Sequence, residues 1–235
     1  MGPRGVTLLL DAFRWLADPA HYRGDDAVQT RILEHLELSG LAVLVACAIA
    51  LPIGLYLGHT GRLGFIAVNV ANVGRALPSL ALLALALPIA FALGLGLGFW
   101  PTLIALVPLA IPPLLTNSYV AVRGVDRDVI EAARGMGLSE GGILRRIELP
   151  LGLPVILSGA RTAAVNVVAT ATLGALVAGG GLGRYIVDGL ALQEYDRLFV
   201  GALLVAVLAI AVEVAFSTFE RLATSPGIRV ERGTL

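Results

Sequence analysis

Lysine is missing from this sequence. All 17 basic residues among its 235 are arginine, which excludes Schiff-base chemistry and the phosphate-binding lysine of a P-loop. The chain is therefore not itself a Walker-type ATPase. Cysteine is nearly missing too. Cys47 stands alone in an apolar run, so an intramolecular disulfide and a thiolate-rich metal site are excluded, and the residue reads as a small apolar side chain. His21, His35 and His59 are scattered without ligand spacing, so no metal site is expected. Charge is scarce at 14% of residues, where a soluble domain carries about a quarter. The 17 acids balance the 17 arginines, and nothing in that balance points to nucleic acid.

What remains is apolar. The chain is 57% hydrophobic with a mean hydropathy of +0.86, the composition of an integral membrane protein. The first 26 residues, "MGPRGVTLLLDAFRWLADPAHYRGDD", lack a signal-peptide pattern, because Asp11 and Arg14 interrupt their short apolar core. Within them "TLLLDAFRWLADP" alternates apolar and charged residues, as an interfacial helix or a frayed leader would. Residues 1–31 are set apart on that basis as an N-terminal leader.

A spanning helix needs roughly 20 mostly apolar residues. The first such run is Leu38–Gly58, with a start as early as Ile32. The second apolar segment, Phe65 to Leu97, is too long for one straight span. It reads as a helix over Asn69–Leu93 kinked near Pro78, or as two shorter helices. A third span covers Trp100–Val122 and carries four prolines, a fourth covers Leu153–Ala178, and a fifth Phe199–Phe219. The expected fold is an all-α, polytopic membrane protein of about five transmembrane helices, with a membrane domain over 32–222 and a cytoplasmic tail over 223–235. An odd number of spans places the termini on opposite faces. With the charged stretch 123–150 inside, arginines favour the cytoplasm nine to six, so the N-terminus is expected outside and the C-terminus in the cytoplasm.

That charged stretch is the informative one. "EAARGMGLSEGGILRRIELP", Glu131–Pro150, holds three acids, three arginines and four glycines between oily neighbours. "DRDVIEAARGMG" begins as a helix capped by Asp126 or Asp128, with Ile130, Ala133 and Met136 on one side. Gly137 permits a sharp turn, Ser139 caps a second short helix, and Pro150 marks re-entry into the membrane. The result is a helical hairpin against the cytoplasmic face, either a docking surface for a soluble partner or an ordinary polar loop.

Resemblance bears on that choice. Glu131, Ala132, Ala133, Gly137, Ile147, Leu149 and Pro150 stand at the offsets of the EAA loop of permeases from ATP-binding-cassette importers. The stretches "ILEHLELSGLAVLVACAIALPIGLYLG", "ALPSLALLALALP" and "LGALVAGGGLGRYIVDGL" extend the likeness over Ile32–Leu190, and they resemble permeases of the osmoprotectant branch, which move glycine betaine, choline, carnitine or proline. Methionine-importer permeases share the EAA pattern and the glycine-rich turn, so an amino-acid importer is the alternative, ahead of a stand-alone carrier. The resemblance implies a type I importer permease fold in which 123–150 is the coupling loop, with Arg145 and Arg146 among its contacts. It implies no catalytic residue in this chain and no cofactor of its own, ATP and Mg belonging to a separate ATPase subunit. It further implies a second permease copy or a homologous permease, an extracytoplasmic substrate-binding protein and membrane lipid as partners, in the cell's inner membrane.

Several residues stand apart from that loop. Gly179, Gly180, Gly181 and Gly183 of "AGGGLG" lack the strand and lysine of an anion cradle and read as a tight turn at the outer end of the fourth span; the resemblance implies a place near the external mouth, which leaves a gating role open. Arg75, beside Pro78, is a candidate to line the path. Arg161 and Glu213 fall inside spans, where an isolated charge costs ~2.5–3.5 kcal/mol, so they either pair or snorkel. Phe91, Trp100, Tyr119 and Tyr185 offer aromatic faces of the kind that hold a quaternary ammonium, though aromatics at span ends read first as interfacial anchors.

Overall fold

The computed structural model describes residues 3–61, 64, 65, 69, 73, 74 and 76–224, with side chains described from residue 10 onward. Arg62, Arg75, Arg229 and Arg232 and the tail beyond Thr224 lie outside the described residues, and so does the candidate path role of Arg75. Among the described residues all regular structure is helical. A leading helix, α1, covers Pro3–Ala17. The first long helix, α2, covers Val28–Thr60. Its 33 residues make about 50 Å of rod, well beyond the ~30 Å hydrocarbon thickness. It starts at Val28, four residues ahead of the earlier expected start at Ile32 and ten ahead of Leu38, because its polar first turns, with Arg31, Glu34 and Glu37, are good helix formers that a hydropathy window passes over.

The next helix, α3, covers Ser79–Ala92. The kinked helix expected over 69–93 is interrupted. Pro78 has extended backbone (φ −63°, ψ 128°) and caps α3, its carbonyl accepting from Leu82 N–H at 3.1 Å. Proline lacks the N–H that would have continued an earlier helix, so the chain restarts after it rather than bending through it. Helix α4, Phe99–Arg123, keeps Pro108, Pro112 and Pro113 in its interior.

The polar stretch forms α5, Arg127–Gly135, and a short α6, Glu140–Ile143. The fourth span, expected from Leu153 with Pro150 marking re-entry into the membrane, begins earlier, and the chain stays helical through Pro150. From α6 the chain passes through one wide turn, Leu144–Glu148, straight into α7, Leu149–Thr170. Leu149 N–H reaches back to Leu144 O, the longer i→i−5 spacing of a π turn. Pro150 has no N–H to donate and its ring crowds the carbonyl four residues back, so widening the preceding turn lets the helix continue. The fourth span thus extends back to Glu140. A 3-10 segment, Ala171–Val177, and a glycine turn lead to α8, Gly183–Ala191, and then to α9, Tyr195–Ala223. Among the described residues four stretches, 28–60, 99–123, 140–177 and 195–223, are long and apolar enough to cross a membrane, and α3 is a shorter apolar helix of 14 residues.

The chain divides into two compact units. One comprises 1–43, 77–107 and 164–211. Its buried clusters are Val28, Leu182, Tyr185 and Val205, packed with Trp15 and Ile186, and Leu83, Ala86, Ala105 and Val177. The other comprises 44–76, 108–163 and 212–235 and contains the hairpin. Its helices approach through small residues. A Cβ on Gly54 of α2 would stand 1.9 Å from Ser118 Oγ of α4, and one on Gly159 of α7 would stand 2.5 Å from Asn117 Cβ.

Candidate functional site

The hairpin is built by local rules. Asp126 caps α5, its carboxylate accepting from Asp128 N–H at 2.9 Å. The helix closes on Gly137, whose φ of +83° suits glycine. Gly137 N–H donates to Arg134 O at 2.9 Å and Leu138 N–H to Ala133 O at 3.1 Å, the paired bonds of a Schellman close. Ser139 then caps α6 through Gly142 N–H. Of the expected apolar side, Ala133 is fully buried, whereas Met136 is 74% exposed because it sits past the last turn, where the backbone has already left the helix. Glu131, Ala132, Arg145, Arg146 and Pro150 point outward, Ile147 and Leu149 are half-buried, and Ile143 is buried.

Charges tie the hairpin together. Arg134 donates to both carboxylate oxygens of Glu140, at 2.8 and 3.0 Å, across the turn. That contact holds the guanidinium above its ordinary pKa. His59, near the end of α2, has Nδ1 at 2.6 Å from Glu148 and Nε2 at 3.3 Å from Glu140. A polar cavity of about 220 Å³ lies beside it, lined among others by Arg123, Arg127, Glu131, Arg134 and Glu148. On α7 and α9, Arg161 Nη1 lies 3.3 Å from Glu213 and 3.8 Å from Glu220. The arginine predicted to pair or snorkel is therefore within reach of two acids spaced two helical turns apart.

The second constellation surrounds the glycine turn. Ala178 (φ 63°), Gly180 (φ 73°) and Gly181 (φ 71°) are left-handed, and Gly179 N–H donates to Gly174 O at 2.7 Å. Gly181 N–H donates to Glu34 Oε2 at 2.7 Å. Cβ atoms would meet Glu34 Oε2 at 2.7 Å from Gly180 and Thr172 O at 2.2 Å from Gly183. Arg31 holds Glu34 at 2.7 Å and also binds Asp26. Asp26 in turn contacts Arg197, which reaches Asp188 at 3.4 Å. The Arg31 hydrogen bond keeps the Asp26 carboxyl below the usual aspartate range. Burial pushes the Tyr185 phenol up to about 12. Its hydroxyl donates to Asp26 O and Arg197 covers its ring, so this aromatic face is already occupied by a cation of the chain. Phe91 and Trp100 are exposed, as anchors would be.

Residues 50–224 match the family described as binding-protein-dependent transport system inner membrane component. The chain belongs to this family. It is 38% identical to the carnitine transport permease protein OpuCB of Listeria monocytogenes over 85% of this chain and 89% of that one. It is 35% identical to the choline transport system permease protein OpuBB of Bacillus subtilis (83% and 88%), and 31% identical to the osmoprotectant import permease protein OsmW of Salmonella typhimurium (90% and 100%). The resemblance to osmoprotectant-branch permeases is thereby borne out. In fold it resembles the inward-facing MetNI methionine ABC transporter, with a TM-score of 0.73, 22% identity, and 84% and 96% of the two chains covered. This bears out the all-α importer-permease fold. The permease is a multi-pass protein of the inner membrane.

Sequence reading of this permease passed over His59, Glu148, Glu34 and the Asp26–Arg31–Arg197 network. His59 and Glu148 are 89 residues apart, and no local pattern links them. Glu34 does carry a local signal: it stands three residues from Arg31 on one helical face, just ahead of an apolar run.

Proposed function

We propose that this permease carries small osmoprotectant solutes, namely glycine betaine, choline, carnitine or proline, in an ATP-driven importer. The relatives named for choline, carnitine and osmoprotectant import support that substrate class. Likeness to the methionine transporter, at 22% identity, concerns the fold and not the solute. In this reading the hairpin is the coupling loop. An exposed Glu131, Ala132, Arg145 and Arg146 and a 74%-exposed Met136 at the tip of a capped, cross-linked turn are what a docking element needs. ATP and Mg bind a separate ATPase subunit seated on that loop. A second permease completes the path, and an extracytoplasmic binding protein delivers solute. The N-terminus lies outside, the leader 1–31 precedes the membrane domain 32–222, and the tail 223–235 is cytoplasmic. Gly179–Gly181 and Gly183 form part of the outer gate, Arg75 and Pro78 border the path, and Arg161 pairs with Glu213 within the membrane. ATP binding tilts the helices through the loop, shifting the equilibrium between inward- and outward-open states.

The observation that carries this is the closed, outward-facing hairpin in a chain whose relatives are osmoprotectant permeases. Its test is uptake of labelled glycine betaine into vesicles holding the permease, its ATPase and its binding protein, with and without the ATPase. Uptake that disappears without the ATPase is expected. Uptake that persists would refute the ATP-driven reading, and ATP hydrolysis without uptake of betaine, choline, carnitine or proline would refute the substrate class.

A further inference from the structure

A docking loop moves a membrane helix only if something firmer than flexible backbone joins them. At the base of the hairpin, side chains provide such a join. Arg134 on α5 grips Glu140 through two parallel hydrogen bonds, at 2.8 and 3.0 Å. Glu140, the first residue of α6, lies 3.3 Å from Nε2 of His59, and Nδ1 of the same ring is 2.6 Å from Glu148. Glu148 closes the wide turn through which the hairpin enters α7. Exposure falls along this chain: the Glu140 side chain is 56% exposed, His59 14% and Glu148 6%. His59 is the hydrogen-bond partner shown for the buried Glu148, and removing one member of a buried polar pair strands the other. Imidazole suits the place because its two ring nitrogens point in different directions, and both donate when both carry hydrogen. No single amide or ammonium side chain spans two carboxylates with that rigidity.

We propose that His59 is the positioning residue that transmits hairpin displacement to α2. It locks the end of α2 to both arms of the loop, so that α5, α6, the start of α7 and the last turn of α2 shift as one body. The proposal rests on the reading of the hairpin as the ATPase-docking element.

The test uses vesicles reconstituted with permease, ATPase and binding protein, and measures solute taken up per ATP hydrolysed at matched permease abundance. His59→Ala is expected to lower that ratio about 5- to 10-fold, within the usual range of coupling between distant sites. Glu148→Gln should lower it similarly. The double variant should be no worse than the poorer single one, because both break the same link. His59→Gln, which keeps one donor for Glu148, should recover part of the ratio. Glu140→Gln is the variant at an exposed position and remains informative if His59→Ala fails to insert; it is expected to lower the ratio about 2- to 5-fold. A structural role alone would reduce abundance while leaving uptake per ATP unchanged, and that result would overturn the proposal. So would losses that multiply in the double variant. Gly137→Val runs alongside. If it lowers the ratio and the His59 and Glu140 variants do not, the docking hairpin stands and this relay falls. If none of them changes it, the docking reading falls too.

Discussion

Replacing Gly180 by alanine tests whether the glycine turn is held by Glu34 or is simply a flexible linker. Two costs are expected. The left-handed backbone at φ +73° disfavours any Cβ by about 1–2 kcal/mol. The new Cβ would also stand 2.7 Å from Glu34 Oε2. That oxygen is the far end of a side chain that can swing away, but moving it breaks the 2.7 Å bond from Gly181 N–H. A hydrogen bond to a charged group contributes about 1.5–3 kcal/mol, and the low end applies because the Glu34 side chain is 38% exposed. The sum is about 2.5–3.5 kcal/mol, or roughly 5–14 °C of melting temperature for a chain of this size. Gly94→Ala is the control, since its φ is +70° but no atom lies within 4 Å of the added Cβ. It should lose about 2–8 °C. The assay is thermal unfolding of the purified permease in detergent, repeated in a Glu34→Gln background. There the excess cost of Gly180→Ala over Gly94→Ala should shrink, because the amide leaves only a neutral hydrogen bond to break. Equal shifts for Gly180→Ala and Gly94→Ala in the wild-type background would refute the reasoning.

Other outcomes follow from single contacts. Gly137→Val strains a φ of +83° with open space around it, so it should disfavour the Schellman close by about 1–2 kcal/mol and uncouple transport while insertion, followed by membrane abundance, is retained. Glu131→Lys, outward-facing, should behave alike in the same uptake assay; normal transport by either would remove that residue from the coupling role. Arg161→Leu removes the cation 3.3 Å from Glu213 and is expected to reduce the abundance of folded permease, whereas Glu213→Gln keeps Arg161 near Glu220 and should be milder. Asp26 and Tyr185 set opposite pH limits. The Asp26 carboxyl is lowered from 3.8, so its stabilisation is complete above that value and lost as pH falls through the depressed one. Tyr185 is raised from 10 to about 12, so the native state keeps a proton that the unfolded chain releases, and stability falls with rising pH across that window. Asp26→Asn should flatten the acid limb and Tyr185→Phe the alkaline one in melting temperature against pH.

The hairpin was legible because every device in it is local: a cap two residues from its donor, a left-handed glycine after one helix, a serine opening the next. Four of the five expected spans were legible for a similar reason, since apolar length is summed along the chain. The ends of helices were less so. Polar turns with Arg31 and Glu34 extend α2 beyond the apolar run, and the π turn at Leu144–Glu148 carries α6 past Pro150, so proline there does not end a helix. At Pro78 the same residue type does interrupt the chain. The difference lies in the backbone: the turn before Pro150 is widened to absorb the missing donor, whereas Pro78 itself is extended, and hydropathy records neither.

What remained hidden shares one property. Glu34 meets Gly181 across 147 residues of sequence and His59 meets Glu148 across 89. In a membrane chain with so few charges, each polar residue near a span is expensive unless partnered. The scattered histidines and acids of the sequence were therefore informative in aggregate, even where no spacing identified a site. Their number implied partners; only the fold could say which ones. That both hidden pairs fasten an end of α2, one to the glycine turn and one to the hairpin, makes α2 the helix through which substitutions at Glu34 and His59 should be felt first.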